Sequence, residues 1–349
     1  MTAARPRRNW GARVQEHQVS GLSAVTLENE RLRVTVLPGK GCDIVEFLDK
    51  RRDVDLVWWS PRGLRNPADL VGGAADDAAL FHDTYEGGWQ DVFPSGGAPC
   101  RYRGAALAQH GEVSGQSWAH RVVTDTEDLV EVEFTVHTRR LPYTLSRALR
   151  LAAGEATLRV VEHAVNTAPV EVHAMWGQHL AFGAPFLRPG HRIRLPDGVR
   201  VLPHAEPVFP PRRRVAPGGP HSWPEVPADG GGTVDLSVVP AAGEPSELCY
   251  LTGFTDGWYE LVDPRDDAGI RVGWDARVLP YLWLWQELGA STDYPWWGQA
   301  YVVGLEPFSS QPTNGLVEAV ENGTALRFAP GQRRDLTWSV GLLGGVDDG

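Results

Sequence analysis

The chain has 349 residues, with 44 acidic against 33 basic side chains and a formal net charge of -11. That balance argues against a nucleic-acid partner, since neither a basic domain nor an aromatic and basic stripe is present. With 39 Gly, 27 Pro and 14 Trp but only 2 Met, the composition fits many short strands joined by turns, hence a mostly β protein with a sizeable core.

The first ten residues, Met1 to Trp10, carry a basic cluster that no apolar stretch follows, so a secretory signal is not expected. No run approaches the roughly 18 apolar residues of a membrane span. The expectation is a soluble, cytoplasmic protein with no membrane partner. Cys42, Cys100 and Cys249 are odd in number and widely spaced, which suits reduced thiols.

Three strands are predicted between Ser23 and Leu48: Ala24–Glu28, Leu32–Leu37 and Asp43–Leu48. Pro38-Gly39-Lys40-Gly41 supplies turn chemistry for a hairpin between the last two. Further alternating or apolar runs fall at 129–136, 156–165, 170–176, 248–254, 270–274 and 336–342. Their spacing predicts a large antiparallel β-sandwich with few, short helices. Pro185 to Gly232 is rich in proline and glycine and is read as an excursion of loops and edge strands within a single domain spanning residues 1–349. Its Arg212-Arg213-Arg214 run is read as solvated surface.

Tyr301-Val302-Val303-Gly304-Leu305-Glu306-Pro307 places a carboxylate at the end of an apolar, β-branched run that proline stops. Burying an ionised carboxylate costs several kcal/mol, on the order of a multi-unit pKa shift, so Glu306 needs a partner or a task. His179 sits in similarly apolar company in Met175 to Gly183. One acid and one base make a proton-transfer pair.

The order of motifs resembles the aldose 1-epimerase (galactose mutarotase) family. The resemblance runs through Leu32 to Ile44, Gly87-Gly88-Trp89-Gln90-Asp91-Val92-Phe93-Pro94, His110-Gly111, Trp176-Gly177-Gln178-His179 and Gly304-Leu305-Glu306-Pro307. It covers about residue 20 to about residue 342. It implies a large β-sandwich and a small-molecule sugar as partner. It also implies exchange of anomers by acid/base ring opening, with Glu306 as base and His179 as acid. His110 is implied near the reacting end of the sugar, sharing its binding or the acid role. Gln90 and Asp91 offer an amide and a carboxylate suited to sugar hydroxyls, and Trp89, Trp176, Trp283 and Trp285 offer faces for stacking; turn or capping contacts and core packing are the alternatives. The arginine segment and substrate-binding aspartate of several sugar mutarotases have no counterpart, which leaves the particular sugar open. No cofactor is expected, since ring opening needs neither redox chemistry, metal nor nucleotide.

A zinc or iron site drawn from His82, Asp83, His110, His179 and Glu306 lacks tight ligand spacing. A glycoside hydrolase with Glu112 and Glu306 as paired carboxylates, and a non-catalytic carbohydrate-binding module, are the competing readings. No GxGxxG follows a strand and opens a helix, so a nucleotide enzyme has little support. The sequence carries no signal for oligomeric state.

Overall fold

The computed structural model describes residues 8–69, 77–209 and 212–344. The basic amino terminus up to residue 7 lies outside the described residues, as do residues 210–211 of the proline-rich excursion. Two antiparallel sheets, one of twelve strands and one of eight, carry most of the chain, and the fold is an all-β, mutarotase-like sandwich.

In the eight-stranded sheet, Leu129–His137, Tyr143–Ala152 and Thr157–Asn166 alternate buried with half-exposed residues, as strands with one wet face do. The centre of the twelve-stranded sheet differs. Gly177–Gly183 is buried at every position and Tyr301–Phe308 at all but the first. One face of this part of the sheet packs on the other sheet, through Phe182 on Tyr259 with ring centroids 6.3 Å apart and, just past the neighbouring strand Trp89–Val92, Phe93 on Tyr143 at 4.9 Å. The opposite face lies beneath a layer of loops and a short helix, which makes a pocket there.

A buried ionic cluster joins the sheets. Arg147, 1% exposed, donates to Asp91 Oδ2 at 3.0 Å and to the Cys42 carbonyl at 3.1 Å, and its Nε lies 3.5 Å from Glu162 Oε1. Gln178 and Trp338 each donate to Glu162, at 2.8 and 2.9 Å. Burial, followed by the charge of Asp91, pushes the Glu162 carboxyl well above the usual range.

The expected strands and the hairpin across Pro38 to Gly41 form, with Leu32–Leu37 pairing Asp43–Asp49. The run expected at 170–176 breaks in two. Val172–Ala174 pairs Leu326–Phe328, and the chain then crosses at Met175 and Trp176 before re-entering as Gly177–Gly183. Contacts of Trp176 with Ser309 hold that crossing: its carbonyl accepts the Ser309 N–H at 2.8 Å, and its own N–H donates to Ser309 Oγ at 2.9 Å. The excursion supplies edge strands to both sheets, Arg192–Arg194 to the eight-stranded and Arg200–Pro203 and His221–Ser222 to the twelve-stranded one. The arginine triplet is not simply solvated. Arg212 is exposed, but Arg213 donates to the carbonyls of His204, Ala205 and Val215, and buried Arg214 donates to Gln286. Among the described residues the α-helices are Asp77–Thr84 and Leu316–Glu321, and none is long and apolar enough to cross a membrane.

Removing one partner of a buried ionic cluster leaves the rest uncompensated. Arg147→Ala is therefore expected to lower stability by about 3–5 kcal/mol in urea unfolding. A loss below about 1 kcal/mol would show that Asp91 and Glu162 do not depend on the guanidinium.

Candidate active site

Strand register builds the floor of the pocket. Gln90 pairs opposite His179, and Trp283 opposite Glu306. Between the His179 and Glu306 strands, the paired positions Gly177 with Phe308 and Ala181 with Gly304 bracket His179 and Glu306. Side chains opposite one another in an antiparallel pair share a face. His179 Nε2 accordingly stands 3.5 Å from Glu306 Oε1, with both side chains almost wholly buried.

Room for that carboxyl comes from Gly304, two residues earlier on the same face. A Cβ at Gly304 would lie 2.5 Å from Glu306 Oε1 and 3.1 Å from the Trp285 ring. Here the glycine serves a side chain.

The helix Asp77–Thr84 and the turn after it form the roof. Gly87, at φ 93°, reverses the chain beneath Trp58, where a Cβ would meet the Trp58 carbonyl at 2.2 Å. This sets the Tyr85 hydroxyl 3.5 Å from His179 Nδ1, with Phe81 stacked on Tyr85 at 5.2 Å. His110, at φ 57°, is fixed by two bonds to Gly97: its N–H donates to the Gly97 carbonyl at 2.9 Å, and its Nδ1 accepts the Gly97 N–H at 3.3 Å. Its ring lies 5.3 Å from that of His179. The cavity, open to solvent on one side, is about 260 Å³ and is lined by His179, Glu306, His110 and Tyr85 together with aromatic walls that include Trp283, Trp285 and Trp296. A volume of that size suits one sugar ring.

Burial dominates the electrostatics. It pushes the Glu306 carboxyl well above the usual carboxylate range. It pushes His179 down to about 4, and His110 well below the ordinary histidine value with help from His179 and His82. Tyr85 is driven up by burial and then by the charge of Glu306, so the phenol keeps its proton. With no lysine or arginine lining the cavity among the described residues, burial favours the neutral form of each group, the carboxylic acid and the imidazole.

Of the residues expected in the site, His179, Glu306, His110 and Trp285 line this cavity, as does Trp283. Asp91, Trp176 and Gln90 do not. Asp91, next to Gln90 along its strand, faces the opposite side and holds Arg147. Trp176 is fully buried against Phe93, at 5.9 Å. The Gln90 amide donates to Asp43 Oδ2 at 2.8 Å, beside Lys40 Nζ at 2.8 Å from the same oxygen. Gln90 lines a separate space of about 60 Å³ behind Tyr85. Trp89 is core as well, donating to the Ala181 carbonyl at 3.0 Å. Glu112, the second carboxylate of the hydrolase reading, accepts the N–H groups of Arg139, Arg140 and Leu141 at 2.7, 2.9 and 3.0 Å and does not line the cavity. Sequence reading missed Tyr85, Gln109 and Trp296; the first two flank the Gly87-Gly88 and His110-Gly111 motifs, which was the available signal. Among the described residues, no three His, Cys, Asp or Glu side chains are grouped as metal ligands.

The fold and the placement of these motifs define a galactose mutarotase-like sandwich. The family model described as "Domain of unknown function (DUF4432)" matches residues 19–208 and 250–342, and the chain belongs to that family. No curated protein matches it. Among solved structures, it is similar to a Klebsiella pneumoniae protein provisionally named aldose 1-epimerase, with 16% identity, a TM-score of 0.74, and coverage of 95% of this chain and 88% of the other. It is similar to a galactose mutarotase-like protein of Lactobacillus casei, with 18% identity, a TM-score of 0.55, and coverage of 91% and 99%. A galactose mutarotase-like protein of Clostridium acetobutylicum gives 14% identity, a TM-score of 0.57, and coverage of 96% and 99%.

A carboxyl whose folded pKa is raised stabilises the fold fully below its unfolded value of about 4.3, and that contribution is lost as pH rises toward the folded pKa. Glu306→Gln is therefore expected to be at least as stable as the parent at pH 8, with the difference shrinking at pH 4, in denaturant midpoints. A variant less stable than the parent by more than about 1 kcal/mol at pH 8 would show that the carboxylate has a stabilising partner.

Proposed function

We propose that this chain is an aldose 1-epimerase that exchanges the anomers of a small sugar by acid/base ring opening. The observation that carries the reading is the approach of His179 Nε2 to Glu306 Oε1, at 3.5 Å, on the floor of an aromatic-walled cavity. An acid and a base with one proton between them are what the reaction requires.

The base takes the proton of the C1 hydroxyl while the acid protonates the ring oxygen. The C1–O5 bond breaks and C1 becomes an aldehyde. Rotation about C1–C2 presents the other face of the carbonyl, and the ring closes as both protons return. Net proton count is unchanged at every stage. In the empty cavity the shared proton rests on Glu306, because burial favours both neutral forms. A shift across the 3.5 Å contact to Nε2 gives the working arrangement, Glu306 as base and His179 as acid. Sugar hydroxyls arriving beside Glu306 favour that shift by supplying hydrogen bonds to the carboxylate. Tyr85, near Nδ1, and His110, near the His179 ring, complete the polar surroundings.

The hydrolase reading loses its second carboxylate, since Glu112 is occupied by three backbone N–H groups. A binding module without catalysis has no need of a buried pair.

Anomer exchange followed by NMR across a panel of aldoses tests the proposal. Glu306→Gln is expected to lower the exchange rate about 10²- to 10⁴-fold with the fold intact, and near-normal turnover would remove Glu306 from the mechanism. Gly304→Ala, which crowds the same oxygen, is expected to cost on the order of 10²-fold, since misplacement by about 1 Å does so. The rate should follow a bell-shaped pH profile. Below about 4, where His179 also gains a proton, the pair has no base. Above the raised value of Glu306 it has no acid. A flat profile across both limits would contradict a one-proton pair.

A further inference from the structure

The cavity has two unlike ends, set by strand order. Across the sheet the strands run Trp89–Val92, Gly177–Gly183, Tyr301–Phe308, Tyr281–Leu288 and Glu247–Thr252. Polar lining residues gather over the His179 strand: His110 beside His179, and Gln109, whose Nε2 lies 3.3 Å from His82 Nε2. Two and three strands away the lining is Trp283, Trp285 and Leu248, with Val208 and Phe209 from the excursion. The excursion is fixed at this end by the His204 N–H, which donates to the Leu248 carbonyl at 2.9 Å. The nearby phenol of Tyr250 is engaged by His204 Nδ1 at 2.8 Å and by the Thr313 N–H at 2.9 Å, and Thr313 is the hydroxyl-bearing residue of the lining on that side.

Charge is equally one-sided. No lysine or arginine lines the cavity among the described residues. The seven residues 70–76, outside the described set, read Leu-Val-Gly-Gly-Ala-Ala-Asp and contain no basic residue. Arg62, which bonds the His82 carbonyl, is paired with Asp83 at 3.2 Å and donates to the Pro295 carbonyl at 3.0 Å. Arg213, on the excursion, donates to three carbonyls. A phosphate, sulfonate or carboxylate on the sugar meets no lysine or arginine among the described lining residues.

We infer that the substrate is an uncharged deoxy sugar, its reacting C1 end over His179 and Glu306 and a hydrocarbon edge, such as a methyl group on C5, against Leu248, Val208 and Phe209. The inference rests on the epimerase reading for the placement of C1. A hydroxymethyl group seated against Leu248, Val208 and Phe209 loses its water and gains no partner from those side chains, whereas a methyl group fills the same space and loses nothing. Specificity follows from the end of the cavity that does no chemistry.

Binding and turnover are measured separately on the whole protein. Calorimetry compares 6-deoxyhexoses with hexoses of the same configuration, together with a hexose 6-phosphate and a hexuronic acid, and NMR follows anomer exchange on the same set. In at least one pair the deoxy sugar is expected to bind about tenfold or more tightly than its parent, with no measurable binding of the anionic sugars. Leu248→Asn is expected to reduce that preference about tenfold; a variant that unfolds is replaced by Phe209→Tyr, which also adds a hydroxyl at that end. Preferential binding of deoxy sugars without exchange would sink the epimerase reading and keep the ligand class. Exchange with equal or tighter binding of the parent hexoses, or any preference for the anionic sugars, would overturn the ligand class and keep the epimerase reading.

Discussion

A carboxyl group placed inside a sheet with no cation beside it is the constraint on which the site depends. Glu306 touches a histidine, aromatic rings and aliphatic side chains, and the described lining offers no ammonium or guanidinium to settle its charge. Burial therefore favours its protonated form, and the same loss of solvent favours the neutral imidazole beside it. An isolated buried ion is too unfavourable to persist, whereas a proton that can move between two groups avoids that state. The surrounding structure is arranged to keep it so: Gly304 leaves room for the oxygen, and the aromatic walls leave both side chains almost wholly buried.

The same sheet handles charge in the opposite way on its other face. There Arg147 compensates Asp91 and Glu162 directly, and Gln178 and Trp338 complete the hydrogen bonding. One face fixes its charges and the other leaves a proton free to move. Behind Tyr85, Lys40 joins Asp43 at 2.8 Å and Glu86 at 2.6 Å, a third arrangement in which burial raises Asp43 to about 8. These clusters meet along shared strands, where Asp91 adjoins Gln90 and Gln178 adjoins His179, yet they differ because they face different surroundings.

Much of this was legible in the sequence. Alternation and turn residues marked most strands, and the misplaced polarity of Glu306 and His179 singled out the pair. What sequence could not assign was direction. Gln90 and Asp91 look equally suited to hydroxyl groups, but alternation sends Asp91 to the sandwich interior, and Lys40 and Asp43 engage Gln90. Trp176 reads like Trp285, yet it lies at a strand break and is fully buried. The arginine triplet looked solvated because neither the turn that brings the carbonyls of His204 and Ala205 to Arg213 nor the side chain of Gln286 beside Arg214 leaves a local pattern. Tyr85, Gln109 and Trp296 were missed because loops and a short helix bring them over the floor, and no periodicity predicts where a loop closes.

Gln178 and His179 are neighbours along one strand and belong to different chemistries. Peptide geometry alternates side chains between faces, so a slip of one position would trade an amide that steadies the interior for an imidazole meant for the pocket. Such a strand has no tolerance for insertion or deletion of a single residue: the error would place a titratable ring among fixed ions and strand the carboxyl of Glu306 opposite an amide. A change in length is thus better accommodated in the loops above the cavity, where it can reshape what enters while leaving His179 and Glu306 facing one another.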